Sequence, residues 1–156
     1  MRRLLLAACT IALGFSIFSV ETGAKAQDPA TETAIKYRKS VMGAVGGNMG
    51  AMVGIMKGAG DKANLAVHAS AMADLSKIVP TLFPAGSDFG ETTALPVIWE
   101  KTDDFAAAIK KFQDAAGVVA EAAKGGDMAA FGAAFNGLGE SCKNCHENFR
   151  EKKEKQ

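Results

Sequence analysis

Glu140-Ser141-Cys142-Lys143-Asn144-Cys145-His146-Glu147-Asn148-Phe149 ends seven residues before the last residue of a 156-residue chain. Its two thiols stand three residues apart, one helical turn from each other, and the imidazole follows one step round. Upstream, Phe131, Phe135, Leu138, Cys142, Cys145 and Phe149 recur at spacings of 4, 3, 4, 3 and 4, the pattern of one buried helix face. Asp127 is a suitable N-cap for that helix. Lys152 and Lys153 give it a basic, solvated C-terminal end.

Working back along the chain, three more helices follow from the same periodicity. The first spans about Thr31 to Lys57. Its Ile35, Arg38, Met42, Val45, Met49, Met52 and Met56 form a 3-4 seam, and Gly58 and Gly60 end it. Gly46 and Gly47 inside it each cost about 1 kcal/mol relative to Ala. They are either a tolerated defect or a thinning of the helix for a bulky neighbour. The second helix runs from an Asp61 cap to Val79 with Leu65, Ala69, Met72, Leu75 and Val79 inward, and Pro80 stops it. A long connection containing Pro84, Gly86 and Gly90 reaches Leu95. The third helix starts at Pro96, buries Ile98, Phe105, Ile109, Phe112, Ala116 and Val119, and closes at Gly125-Gly126. Four amphipathic helices of this length, mostly joined by short links, predict an all-α antiparallel four-helix bundle.

The N-terminal end reads differently. Arg2 and Arg3 precede an apolar run from Leu4 to Val20, and Ala24-Lys25-Ala26 has the small-x-small form of a secretory cleavage site. Residues 1-26 are therefore expected to be a signal peptide cleaved after Ala26, and residues 27-156 one mature domain. Leu6-Ala7-Ala8-Cys9 imitates a lipoprotein box, but only Leu4 to Leu6 precede it as an apolar core, so Cys9 is expected to be discarded. Removing Arg2, Arg3, Lys25 and Glu21 from 18 basic and 17 acidic residues leaves 15 against 16, formally −1. No basic arm points to nucleic acid, and no second apolar segment points to a membrane span.

The mature chain keeps Cys142 and Cys145 in an oxidising compartment, where a pair usually reads as a disulfide. A bridge closing so small a loop would constrain the unfolded chain little. A thioredoxin-type pair needs a βαβ setting that is not visible, and a zinc site would need a fourth ligand when the only other histidine is His68. His68 falls beside the apolar seam of the second helix and is read as a surface or satisfied histidine. Cys-x-x-Cys-His is instead the attachment signature of haem c: the thiols add across two vinyl groups, and His146 reaches the iron.

Placed near the C-terminus, this motif, with "KYRKSVM" (Lys36 to Met42), "LFPAG" (Leu82 to Gly86) and "IWEKTDDF" (Ile98 to Phe105), resembles the class II c-type cytochromes, which include cytochrome c′. The resemblance spans Gln27 to Lys153. It implies a left-handed four-helix bundle with one covalent haem c on Cys142 and Cys145. It leaves monomer and homodimer open, with pairing through the first two helices where it occurs. It also implies that Met42 occupies the position that either binds iron as sixth ligand or merely covers it, and that Arg38 lies near a haem propionate. The periodicity independently turns both residues inward, and an inward arginine needs an anionic partner. Lys39 departs from the glutamine common in cytochrome c′ and tilts the reading toward the Met-ligated branch.

The expected function is a periplasmic one-electron carrier with His146 and Met42 as axial ligands and other redox proteins as partners. The alternative is a five-coordinate cytochrome c′ binding NO or CO, with Met42 only a cover. No nucleophile, base or substrate cleft marks an enzyme. A haem-free interaction bundle is the remaining possibility, and the mass of the exported chain decides against or for it. Chain starting at Gln27 should outweigh its bare polypeptide by one haem in mass spectrometry under denaturing conditions.

Overall fold

Asp28 opens the first helix, α1, which spans Pro29–Met56 in the computed structural model; this structure describes residues 28–152. The expected leader, its cleavage after Ala26, Cys9, Gln27 and Lys153 lie outside the described residues. The Asp28 side chain accepts from the Ala30 amide at 3.1 Å, and Pro29 fills a first-turn position whose N–H would have no helical partner. These two residues start the helix before the expected Thr31. Gly58 and Gly60, at φ 94 and 84, turn the chain after it in a region that favours glycine.

Helix α2 spans Asn64–Ile78. Asp61 was expected to cap it, but its carboxylate accepts from the Ala63 amide at 2.9 Å within the turn before the helix. The α-helix stops ahead of Pro80, one residue short of the expected Val79. Val79–Leu82 tightens into a 3-10 turn with Pro80 near its start, where a missing N–H breaks no bond.

The expected third helix is two: α3, Val97–Glu100, and α4, Thr102–Gly125. Lys101, at φ −118 and ψ 61, breaks the path between them. The Trp99 indole explains where α3 is held, because its Nε1 donates to the carbonyls of Phe83 at 3.2 Å and Pro84 at 3.1 Å. Helix α4 restarts with Asp103 and Asp104, whose charges suit the positive end of its dipole. It ends at Gly126, which is left-handed at φ 73. Helix α5, Met128–Phe149, begins at Asp127 as expected, the carboxylate accepting from the Ala129 and Ala130 amides.

The four long helices form a four-helix bundle in which α1 packs on α2, α2 on α4, and α4 on α5. No comparably packed face joins α1 to α5 among the described residues. Ala69, Met72, Ala116, Val119, Phe131 and Leu138 fill the centre, the alanines letting the backbones approach. The long connection does not hang free. Leu95 N–H donates to Phe149 O at 3.0 Å and Glu151 N–H to Thr93 O at 2.8 Å, pairing the loop with the end of α5.

Burial follows the predicted faces closely on α4, where all the expected residues are buried. On α1 the methionine line departs. Val41 and Ile55 are buried, Met42 and Met49 are half-buried, and Met56 is exposed. Met52, further along the same line, is fully buried, so the seam holds its register to the last turn and only Met56 leaves it. On α2, Leu75 is half-buried and Ser76 takes the inner position.

Leu138 is fully buried at the centre of α5. Leu138→Ala should cost about 2–5 kcal/mol in urea denaturation of the haem-loaded protein, and a loss well under 1 kcal/mol would contradict this core.

Candidate cofactor site

Because α1 and α5 are not packed together, a cavity of about 510 Å³ runs through this side of the bundle. That lies within the range of small-molecule sites. Helix α1 contributes Arg38, Lys39, Met42, Val45, Gly46 and Met49 to its walls, α5 contributes Gly139, Cys142, Cys145, His146 and Phe149, and Arg150 follows just past its end. The connection adds Phe83, Thr92 and Thr93, and α4 adds Phe105, Ile109 and Phe112. All five residues singled out from the sequence, Arg38, Met42, Cys142, Cys145 and His146, thus meet on one cavity. His68 is elsewhere: its Nδ1 pairs with Asn48 Oδ1 at 2.9 Å, and it does not line these walls. A shallow surface groove between α4 and α5 near Gln113, Val118 and Ala133 holds none of the predicted residues.

Cys142 and Cys145 are free thiols, half-buried because they face the cavity rather than the packed core. Burial raises the pKa of both. For Cys145, the neighbouring Cys142 adds to it, and the value is pushed up to about 11. Both are therefore neutral thiols at physiological pH. The His146 ring is exposed at the cavity rim. Desolvation by the surrounding chain, and to a smaller degree the charge of Arg150, lower its pKa and favour the neutral imidazole that binds metals.

Arg38 is 4% exposed, yet every acceptor it meets is neutral. Its guanidinium donates to Leu82 O, Ser87 Oγ, Ser87 O and Thr92 Oγ1, and it lies 4.9 Å from the Phe83 ring centroid and 6.0 Å from that of Trp99. Burial lowers its pKa, but an arginine stays protonated. Among the described residues no carboxylate pairs with it, and the cavity walls carry Arg38, Lys39 and Arg150 without an aspartate or glutamate. A buried cation without a counter-charge is costly. The cavity therefore suits an anionic occupant. Gly46 on α1 and Gly139 on α5 leave its walls thin, and a Cβ on either would meet no atom within 4 Å. Paired thiols, a neutral imidazole, an uncompensated buried cation and open glycine walls fit a haem with two propionates.

A connection of this length reads from the sequence as functional or a crossover, with Glu91 to Thr93 as candidates for the porphyrin edge and no choice among them. Thr92 and Thr93 reach the cavity while Glu91 does not, and Ser87 holds Arg38 from full burial. Nothing in the spacing of Ser87 or Thr92 marks them. Arg150 was missed as well: it follows His146 by four residues, but it lies just past the end of α5 in extended backbone paired with Ala94.

The family model described as Cytochrome C' matches residues 33–150. A cytochrome c' from Pararhodospirillum photometricum is 42% identical over 122 residues, which is 77% of this chain and 98% of that protein. Among solved structures, cytochrome c prime from Shewanella frigidimarina is 39% identical with a TM-score of 0.74, covering 78% of this chain and 97% of its own. A nitric oxide complex of a cytochrome c prime mutant from Alcaligenes xylosoxidans is 33% identical with a TM-score of 0.72, covering 79% and 97%. The cysteine pair, the bundle built around it and these likenesses converge: the chain belongs to the class II c-type cytochromes of the cytochrome c′ family and carries one covalent haem c.

Proposed function

We propose that this protein binds a small diatomic gas, NO or CO, at its haem, with His146 as the residue that would hold the iron and Met42 as a cover over the bound gas. The sequence reading placed the one-electron carrier first and the gas binder second; here the order is reversed. The observation that carries this reading is the wall made by Met42, Val45, Met49, Ile109 and Phe112, which is apolar and shares a cavity with His146. Such a wall excludes water and anions but admits a small, weakly polar molecule. The nitric oxide complex of the related cytochrome c prime supports it.

When bound, the haem supplies an iron that changes oxidation state and accepts a gas. The chain's residues hold it in distinct ways. Cys142 and Cys145 tether it, so that it stays with the chain whatever the occupancy of the cavity. His146 offers a nitrogen lone pair because its environment favours the neutral ring. Arg38 supplies positive charge to a propionate from a fixed, buried position. No catalytic step belongs to this reading. Export to the periplasm, with the leader removed after Ala26 and residues 27-156 as the working domain, completes it, and periplasmic redox proteins supply or remove the electron.

The second reading, an electron carrier with Met42 bound to iron, is favoured by the fact that the Met42 side chain and His146 border one cavity. A thioether is a soft ligand that iron of a c-type cytochrome accepts. Electronic spectra of the purified holoprotein separate the two. Gas binding predicts a high-spin ferrous spectrum that shifts on adding CO, and Met42→Ala should stay high-spin and take up CO several-fold faster. A low-spin spectrum with a sulfur-to-iron charge-transfer band, converted to high-spin by the same substitution, would overturn it in favour of the carrier.

A further inference from the structure

The loop between the 3-10 turn and α3 does more than cross the end of the bundle. Arginine has five N–H donors, and four are engaged here. Nη1 donates to Ser87 Oγ at 2.8 Å and Leu82 O at 3.3 Å; Nη2 donates to Thr92 Oγ1 at 2.7 Å and Ser87 O at 2.9 Å. Both hydroxyls are themselves fixed. Ser87 Oγ donates to Pro84 O at 2.8 Å, and Thr92 Oγ1 accepts from the Ala94 amide at 3.1 Å. Ser87 has no exposed surface. The same loop is fastened at its start by the Trp99 indole and at its end by the backbone pairs to Phe149 and Glu151.

These contacts orient the guanidinium without neutralising it. Hydroxyls and carbonyls satisfy donors but bring no counter-charge, so the full positive charge of Arg38 remains available to the cavity it lines. A carboxylate in place of Ser87 or Thr92 would have held the side chain as firmly and cancelled the charge. A lysine in place of Arg38 could not make the forked set of bonds.

We infer that Ser87 and Thr92 are positioning residues for the haem: by clamping Arg38 through uncharged groups they direct its charge at a haem propionate and raise the reduction potential. The inference rests on the assignment of Arg38 to a propionate. A cation held close to the haem favours the ferrous state, because reduction removes one positive charge from the iron. Loosening the clamp lets the guanidinium move and be screened by water, which favours the ferric state.

Potentiometric titration of the holoprotein at fixed pH tests this, and the thioether tethers keep the cofactor in place in each variant. Arg38→Gln should lower the reduction equilibrium constant; if the potential does not move, the propionate assignment itself fails. Ser87→Ala and Thr92→Val should each lower that constant about threefold, roughly 28 mV at 59 mV per tenfold change for one electron. Neither should have a further effect in the Arg38→Gln background, since each acts through Arg38. The inference is overturned if Arg38→Gln shifts the potential while both loop variants lower only the melting temperature. It is equally overturned if their shifts persist without Arg38. Should Ser87→Ala not accumulate as holoprotein, Thr92→Val carries the same cycle on its own.

Discussion

The Arg38 guanidinium lies at 4% exposure inside a bundle whose described residues offer it hydroxyls, carbonyls and two aromatic faces, but no carboxylate. An ionised group removed from water without a counter-charge costs several kcal/mol. Two features offset part of that cost: the four hydrogen bonds to the loop, and the cavity beside it, which has room for an anion. The first holds the long connection to α1, while the backbone pairs of Leu95 with Phe149 and of Glu151 with Thr93 tie it to the end of α5. The second explains why three cations line a cavity without an acidic residue. Cofactor and chain are complementary in charge before any bond to iron is considered.

The cavity follows from how the helices pair. Packing runs from α1 to α2 to α4 to α5, and the circle is left open between first and last. Bulky seams at Phe105, Ile109 and Phe112 back the space, while Gly46 and Gly139 keep its side walls thin. Helix α5 turns its thiols toward it at one-turn spacing, so a rigid planar group can be held along one edge by two points on a single helix. The opposite requirement, a close-packed centre, is met by Met52, Met72, Val119, Phe131 and Leu138. Half-burial of Cys142, Cys145, Met42 and Met49 is the signature of lining residues, distinct from that of core residues on the same faces.

Nearly everything periodic or motif-bound was legible in advance. Cys142, Cys145 and His146 carry a spacing specific enough to name their cofactor. The inner faces of α4 and α5 could be read because aromatic and branched residues recur there at strict 3-4 intervals. Asp127 and the glycine pairs marked helix ends through local backbone chemistry. Errors arose where a distant partner overrode a local rule. Pro96 was read as the start of one helix, yet the hold of the Phe83 and Pro84 carbonyls on Trp99 goes with a break at Lys101. The Met line on α1 keeps its register through the buried Met52, but Met42 and Met49 face a cavity that their spacing does not announce.

The amino-acid order by itself determined the helices, their buried faces, the tether and the imidazole beside it, since each depends on residues within a turn or two of one another. Tertiary structure alone decided which helices part to leave a cavity, and that Ser87 and Thr92, 49 and 54 residues beyond Arg38, close around its charge. Hydrogen bonds across such separations leave no period in a sequence. They come into being only when packing brings a loop, a helix and a buried cation to the same place.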